Sequence, residues 1–190
     1  VNALFTNNSG SNNSSFGSNS VRQNTSGNNN TGIGYESLRN NTTASENTAA
    51  GYQSLYANTT GAANSGFGRR SLYSNTSGIN NTASGYHALY TNTTGSYNTA
   101  VGHSALTVNN ASNNTAVGYS ALNENTTGKQ NTAVGALASD AVTTGVRNSS
   151  LGYSALSAST RGGDNTAVGR SALSQNTTAS NNTAVGASAL

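Results

Sequence analysis

Five carboxylates and two imidazoles are the side chains in this chain most suited to an acid–base or metal centre, because cysteine is absent. General acid–base work and glycoside cleavage both need two such groups converging on one bond. The acids are Glu36, Glu46, Glu124, Asp140 and Asp164, and in the phase of the repeat set out below no two occupy one column in adjacent units. His87 and His103 fall at neighbouring phases of consecutive units, as substitutions at variable surface positions would. Gly162, Gly163 and Asp164 match one copy of a calcium β-roll motif, which binds only when iterated. Without cysteine there is neither a disulfide framework nor a thiolate metal site. The expectation is a protein with no catalytic residues, no metal and no cofactor, hence no enzyme.

Asparagine supplies a different chemistry. The sequon N-x-[ST] occurs seventeen times, more often than composition alone would give. Seven copies, at Asn24, Asn41, Asn58, Asn75, Asn92, Asn125 and Asn176, share one phase within an N-T-T or N-T-S turn. An exposed turn there would accept N-linked glycans. N-T-T-G is also simply good turn chemistry, and both readings stand. A column of Tyr35, Tyr52, Tyr86, Tyr119 and Tyr153 either stacks on itself or offers a contact surface to a subunit or carbohydrate.

The element that positions all of these is a repeat. From Gly17 a glycine returns every 17 residues to Gly186, with one interval of 16 between Gly102 and Gly118. With that glycine as position 0, position −4 is always Asn, position −3 is Ser or Thr, and position +4 is mostly Leu. The clearest copies give a structural ladder of Asn98, Asn114, Asn131, Asn165 and Asn182 with Gly102, Gly118, Gly135, Gly169 and Gly186. A fixed period of this length marks a stacked-repeat architecture. Asn, Ser, Thr and Gly are poor helix formers, so the predicted fold is an all-β solenoid of about eleven 17-residue coils without helices, one repeat array over 1–190. Each coil is read as two short strands, N-T-A-V-G-Y and S-A-L, bent at the glycine. N-T-T-G forms the second turn, with its Asn and Gly able to take left-handed conformations. The expected interior comprises Val101, Val117, Val134 and Val168 at −1 and Leu106, Leu122, Leu156 and Leu173 at +4. Small residues at −2 and +3 imply a close approach there, by the opposite wall of the coil or by a neighbouring subunit. Irregular stretches near Gly135 and over Ser157–Asp164 read as turn variants.

Charged residues make up 7% of the chain and the net charge is +3, with no basic stripe to follow a nucleic-acid backbone. No apolar run reaches membrane-spanning length, so membrane insertion is not expected. The chain lacks Met, opens at phase +1 and stops at phase +4 with no polar cap. It is therefore expected to be a processed product or a piece of something longer. It should continue into further sequence or stack on another copy as a filament, with lateral contacts through the Tyr or small-residue columns.

The N-[ST]-x-[VI]-G core between small residues resembles the head repeats of trimeric autotransporter adhesins, and N-T-A-V-G-Y-x-A-L arrays look like shafts of phage-type tail fibres and bacterial surface fibres. That resemblance implies a parallel β-roll, assembly with copies of itself (end to end or as a trimer), and a place outside the cell or on a cell or virion surface. The period of 17 and the Leu at +4 depart from the adhesin pattern. The function expected is that of a structural fibre shaft. The alternative is an ice-binding or carbohydrate-binding solenoid. Alternation along the strand puts the Thr at −3 on the same inward face as the apolar −1 position, which leaves no Thr face for ice and favours the structural reading.

Overall fold

A computed structural model describes residues 2–190. Each coil contributes one three-residue strand: β1 (Ser14–Phe16), β2 (Thr31–Ile33), β3 (Thr48–Ala50), β4 (Ser65–Phe67), β5 (Thr82–Ser84), β6 (Thr99–Val101), β7 (Thr115–Val117), β8 (Thr132–Val134), β9 (Ser149–Leu151), β10 (Thr166–Val168) and β11 (Thr183–Val185). They form one parallel sheet in chain order. Each residue pairs with its equivalent one repeat on, as Thr115 with Thr132 and Val117 with Val134. Among the described residues there is no helix. The solenoid is thus as expected, and with ten steps of about 4.8 Å it is a rod roughly 48 Å long. The sheet continues without a break through the irregular stretches near Gly135 and Ser157.

Only the T-A-V segment is strand. The expected second strand, S-A-L, is a turn in which +2 and +4 are left-handed: Ser120 has φ 51° and Leu122 φ 49°. A leucine in this region costs roughly 1–2 kcal/mol. Complete burial of its side chain offsets that cost. Hydrogen bonds to both neighbouring coils hold the turn in place. Leu106 N–H donates forward to the Ala121 carbonyl (3.0 Å), while Gly118 and Ser120 N–H donate backward to the carbonyls of Val101 (2.8 Å) and His103 (2.9 Å). In the second turn the left-handed residue is at +12, not at the Asn or Gly of N-T-T-G. The anchor glycines have φ between 120° and 144°, and a Cβ on any of them but the last would strike the backbone of the next coil.

Alternation settles which columns face inward. Ala at −2 is buried, and −3 and −1 both face out. The leucines fill the interior as expected, Leu106, Leu122 and Leu156 completely and Leu173 almost so. The valines do not. Val101 is 39% exposed, Phe16 and Val185 at the same phase are 79% and 71% exposed, and Val117, Val134 and Val168 are half-buried. The reason is the thinness of the coil. Position −2 meets +3 and +4 across it so closely that a Cβ on Gly32 would lie 2.5 Å from Val21 Cγ2 and 2.6 Å from Ser20 Oγ. The close approach signalled by the small residues is therefore that of the opposite wall. Those columns are interior and cannot serve lateral contacts.

Two asparagine ladders complete the core. At −4, each Asn Oδ1 accepts the backbone N–H of the next Asn, as Asn98 Oδ1 from Asn114 (3.0 Å) and Asn114 Oδ1 from Asn131 (3.0 Å). Its Nδ2 reaches across the coil to a carbonyl, as Asn114 to Gly128 (2.8 Å). At +7, each Nδ2 donates to the previous Oδ1 and to the carbonyl that closes its own turn, as Asn58 to Asn41 (2.9 Å) and Gly61 (2.9 Å). Stacked amides of this kind satisfy each other's donors and acceptors, which lets a polar residue serve as core.

The ladder survives a deletion but not a substitution. In the 16-residue coil, N-N-A replaces N-T-T-G, and Asn110 Oδ1 takes the place of the missing carbonyl, accepting from Thr93 N–H (3.0 Å) and Thr94 N–H (2.9 Å). Two coils later Val142 stands at +7, and Asn125 Oδ1 is buried without a partner. In that same coil Ser139 replaces Leu at +4, bonds Ser150 Oγ (2.8 Å), and divides the apolar core into two clusters. A buried unpaired acceptor costs about 1–3 kcal/mol. Val142→Asn should therefore raise stability by about 1–2 kcal/mol, read as a higher urea midpoint; an unchanged or lower midpoint would contradict the ladder at this coil.

Candidate functional site

The +1, +2 and +5 columns form one aromatic and cationic corner over the first half of the rod. Tyr35 stacks on Tyr52 (5.4 Å), Arg69 lies over both Tyr52 and Tyr86, and Tyr86 stacks on His103, which stacks on Tyr119. Beside this column Tyr56, Tyr73 and Tyr90 stack at 5.2 Å, capped by Arg39 over Tyr56. Along the +2 column Gln53 donates to Glu36 Oε2 (2.9 Å) and accepts from Arg70 Nε (3.0 Å). Tyr35, Tyr52, Tyr86 and Tyr119 each spend a ring face on a neighbour, whereas Tyr153 in the same column is 54% exposed and stacks on no ring among the described residues. A sugar ring stacks on an exposed aromatic face, and this geometry favours the self-stacking reading of those four tyrosines.

His87 is held between Tyr86 (3.9 Å) and Tyr90 (4.5 Å), with Nε2 buried and unpartnered. Burial first, then Arg70, Arg69 and His103, lower its pKa below the ordinary 6.5. The folded protein binds this proton less readily than the unfolded chain. The site's contribution to stability is therefore present above pH 6.5 and is lost as the pH falls through 6.5 toward the folded value. An NMR titration should place the His87 midpoint below 6.5; a midpoint at or above it would refute the packing described.

Glu124 and Asp140 meet on adjacent coils, where Glu124 N–H donates to the Asp140 carbonyl (3.1 Å). Glu36 lies 3.6 Å from Arg39, and Asp164 makes a two-pronged pair with Arg147 (2.7 and 2.8 Å) that holds its pKa below the usual carboxylate value. Asp140 is raised, chiefly by burial. Among the described residues no three metal-ligating side chains come together.

The sequon asparagines are corrected by the structure. Asn24, Asn41, Asn58, Asn75, Asn92 and Asn125 are the inward +7 ladder, fully buried and not facing solvent. Their Nδ2 groups, where a glycan would attach, are occupied by two hydrogen bonds each, as in Asn75 to Asn58 (2.9 Å) and Gly78 (3.0 Å). Asn176 is half-buried and bonded to Ala179. Most exposed sequon asparagines sit instead one residue before the −4 ladder, at Asn12, Asn29, Asn80, Asn113 and Asn181, with Asn7 and Asn110 exposed at other phases. That column was legible only through the inward turn of its neighbour.

The surface that sequence reasoning placed inside is the strand face. Thr or Ser at −3 and an apolar or small residue at −1 form two outward rows along the rod, with no charged residue in either. No family model, no curated protein and no solved structure matches this chain.

Proposed function

We propose that the chain is a structural element, the shaft of an extracellular fibre, whose partners are copies of itself. The observation that carries this reading is the axial continuity of the bonding. Backbone bonds run both ways between neighbouring coils, and the asparagine ladders tie interior side chains coil to coil. A stack stabilised by nearest-neighbour coupling gains length without a new fold at each step, which suits a spacer and confers stiffness along one axis. The location at a cell or virion surface rests on the resemblance of the N-[ST]-x-[VI]-G repeats to adhesin heads and fibre shafts. Electron micrographs of the native material test the proposal: continuous filaments of constant width are expected, and dispersed particles no longer than about 50 Å would overturn it.

A further inference from the structure

The rod carries three threonine columns: one at +9 (Thr43, Thr60, Thr94, Thr127, Thr144 and Thr178) is exposed on the turn away from any strand, and the other two differ in a way that points to a ligand. At +8 the hydroxyls are consumed within the rod: Thr126 Oγ1 donates to the Thr143 carbonyl (3.0 Å), Thr143 to Thr160 (3.0 Å) and Thr160 to Thr177 (3.3 Å). At −3 the hydroxyls of Thr99, Thr115, Thr132, Ser149, Thr166 and Thr183 make no hydrogen bond among the described residues, and all six residues are half-buried or exposed. Two residues along each strand stand Val101, Val117, Val134, Leu151, Val168 and Val185, also facing out. The last six coils therefore present an uncharged net of hydroxyl and methyl groups, spaced about 4.8 Å along the rod and roughly 6.7 Å across it.

We propose that this Thr/Val face, over β6 to β11, binds ice. Each Thr offers a hydroxyl that can join a water network and a methyl that cannot, and the sheet repeats the pair at an interval close to the oxygen spacings on the faces of hexagonal ice. Side chains on a parallel sheet are held by backbone pairing, so the net exists before water is ordered on it, which lowers the cost of ordering. Charge would bind liquid water too strongly and irregularly, and neither row has any. A protein partner suits the face less well. The two-row stripe over six coils spans on the order of 160 Å², whereas a stable protein interface needs about 800 Å² per partner. In the first half of the rod Phe16, Ile33, Ala50, Phe67 and Ser84 occupy −1, and the mixture of sizes breaks the net.

The test uses the whole 190-residue chain. Thermal hysteresis and inhibition of ice recrystallisation are measured for the unaltered protein and for Thr132→Lys, Val134→Lys and Thr127→Lys. Thr127 is exposed on the N-T-T turn, so its variant carries the same added charge away from the face. The expected result is activity in the unaltered protein, retained in Thr127→Lys and reduced at least tenfold in the two face variants, with all four proteins giving the same circular dichroism. Absence of activity from the folded unaltered protein would overturn the proposal, as would activity unchanged in Thr132→Lys and Val134→Lys. A third result also overturns it: an unaltered protein that is oligomeric and inactive on ice and becomes monomeric in the face variants, which would make the stripe an interface between copies.

Discussion

Gly118→Ala should destabilise the rod by about 2–6 kcal/mol, the sum of backbone strain of about 1–3 kcal/mol and the loss of two coil-to-coil hydrogen bonds worth about 0.5–1.5 kcal/mol each. Gly118 has φ 137°, a conformation that L side chains rarely adopt. Its added Cβ would lie 2.5 Å from Gly135 O and 2.6 Å from Gly135 C, backbone atoms that can move only if the coils separate. Separation there would stretch the bonds from Gly135 N–H to Val117 O (2.8 Å) and from Leu137 N–H to Tyr119 O (2.9 Å). Coils in a stack are coupled to their neighbours, so the damage should appear as a lower urea midpoint together with new proteolytic cleavage near residues 118–137. A midpoint shifted by less than the equivalent of about 0.5 kcal/mol, the scale of a neutral surface substitution, would show that the close approach is not real.

Asn58→Ala should cost about as much, by a different route. Asn58 donates to Asn41 Oδ1 (2.9 Å) and Gly61 O (2.9 Å) and accepts from Asn75 Nδ2 (2.9 Å). Truncation strands two buried acceptors in the middle of the rod, Asn41 Oδ1 and Gly61 O, each worth about 1–3 kcal/mol, and leaves Asn75 Nδ2 with Gly78 O alone; a total of about 2–6 kcal/mol is expected from equilibrium unfolding. The natural substitution at Val142 strands two, Asn125 Oδ1 on one side and Ser159 Oγ on the other, while Asn131 still donates to the Gly145 carbonyl (2.8 Å). An Asn58→Ala protein as stable as the parent would mean that Asn58 faces water, as its N-T-T setting suggests on sequence grounds.

That contrast marks what the sequence could and could not reveal. Period, fold class, inward Leu106 and Leu122, and the Asn98–Asn114–Asn131 ladder follow from phase alone, because stacking places equal residues at equal levels. The outward turn of Val101 does not follow from its hydrophobicity. Parity along the strand puts −1 and +4 on opposite faces, and the interior is too thin to hold both columns; only the fold shows that Ala100 and Ala116 take the inward place at −2. Asn58 was misplaced for a related reason. An isolated N-T-T-G is a surface turn, whereas a stacked one can bury its amide because the coil above and the coil below complete the hydrogen bonds. The left-handed leucines had no signal in sequence, since that conformation is disfavoured for every residue with a Cβ. Nor did the trapping of His87 between Tyr86 and Tyr90, which depends on columns +1, +2 and +5 meeting at one corner.

Register and facing are the core of the structure, and a cysteine pair reads both at once. The chain has no cysteine of its own. Thr132 and Ser149 are Cα partners on β8 and β9, both exposed at −3. In-register strands lie about 4.8 Å apart, inside the 4.4–6.8 Å Cα range that a disulfide spans. Thr132→Cys/Ser149→Cys should oxidise quickly to an intramolecular disulfide under native conditions and, when reduced, should alkylate at the rate of exposed thiols. A native protein whose two thiols neither couple nor react would contradict the 17-residue register and the outward Thr face together.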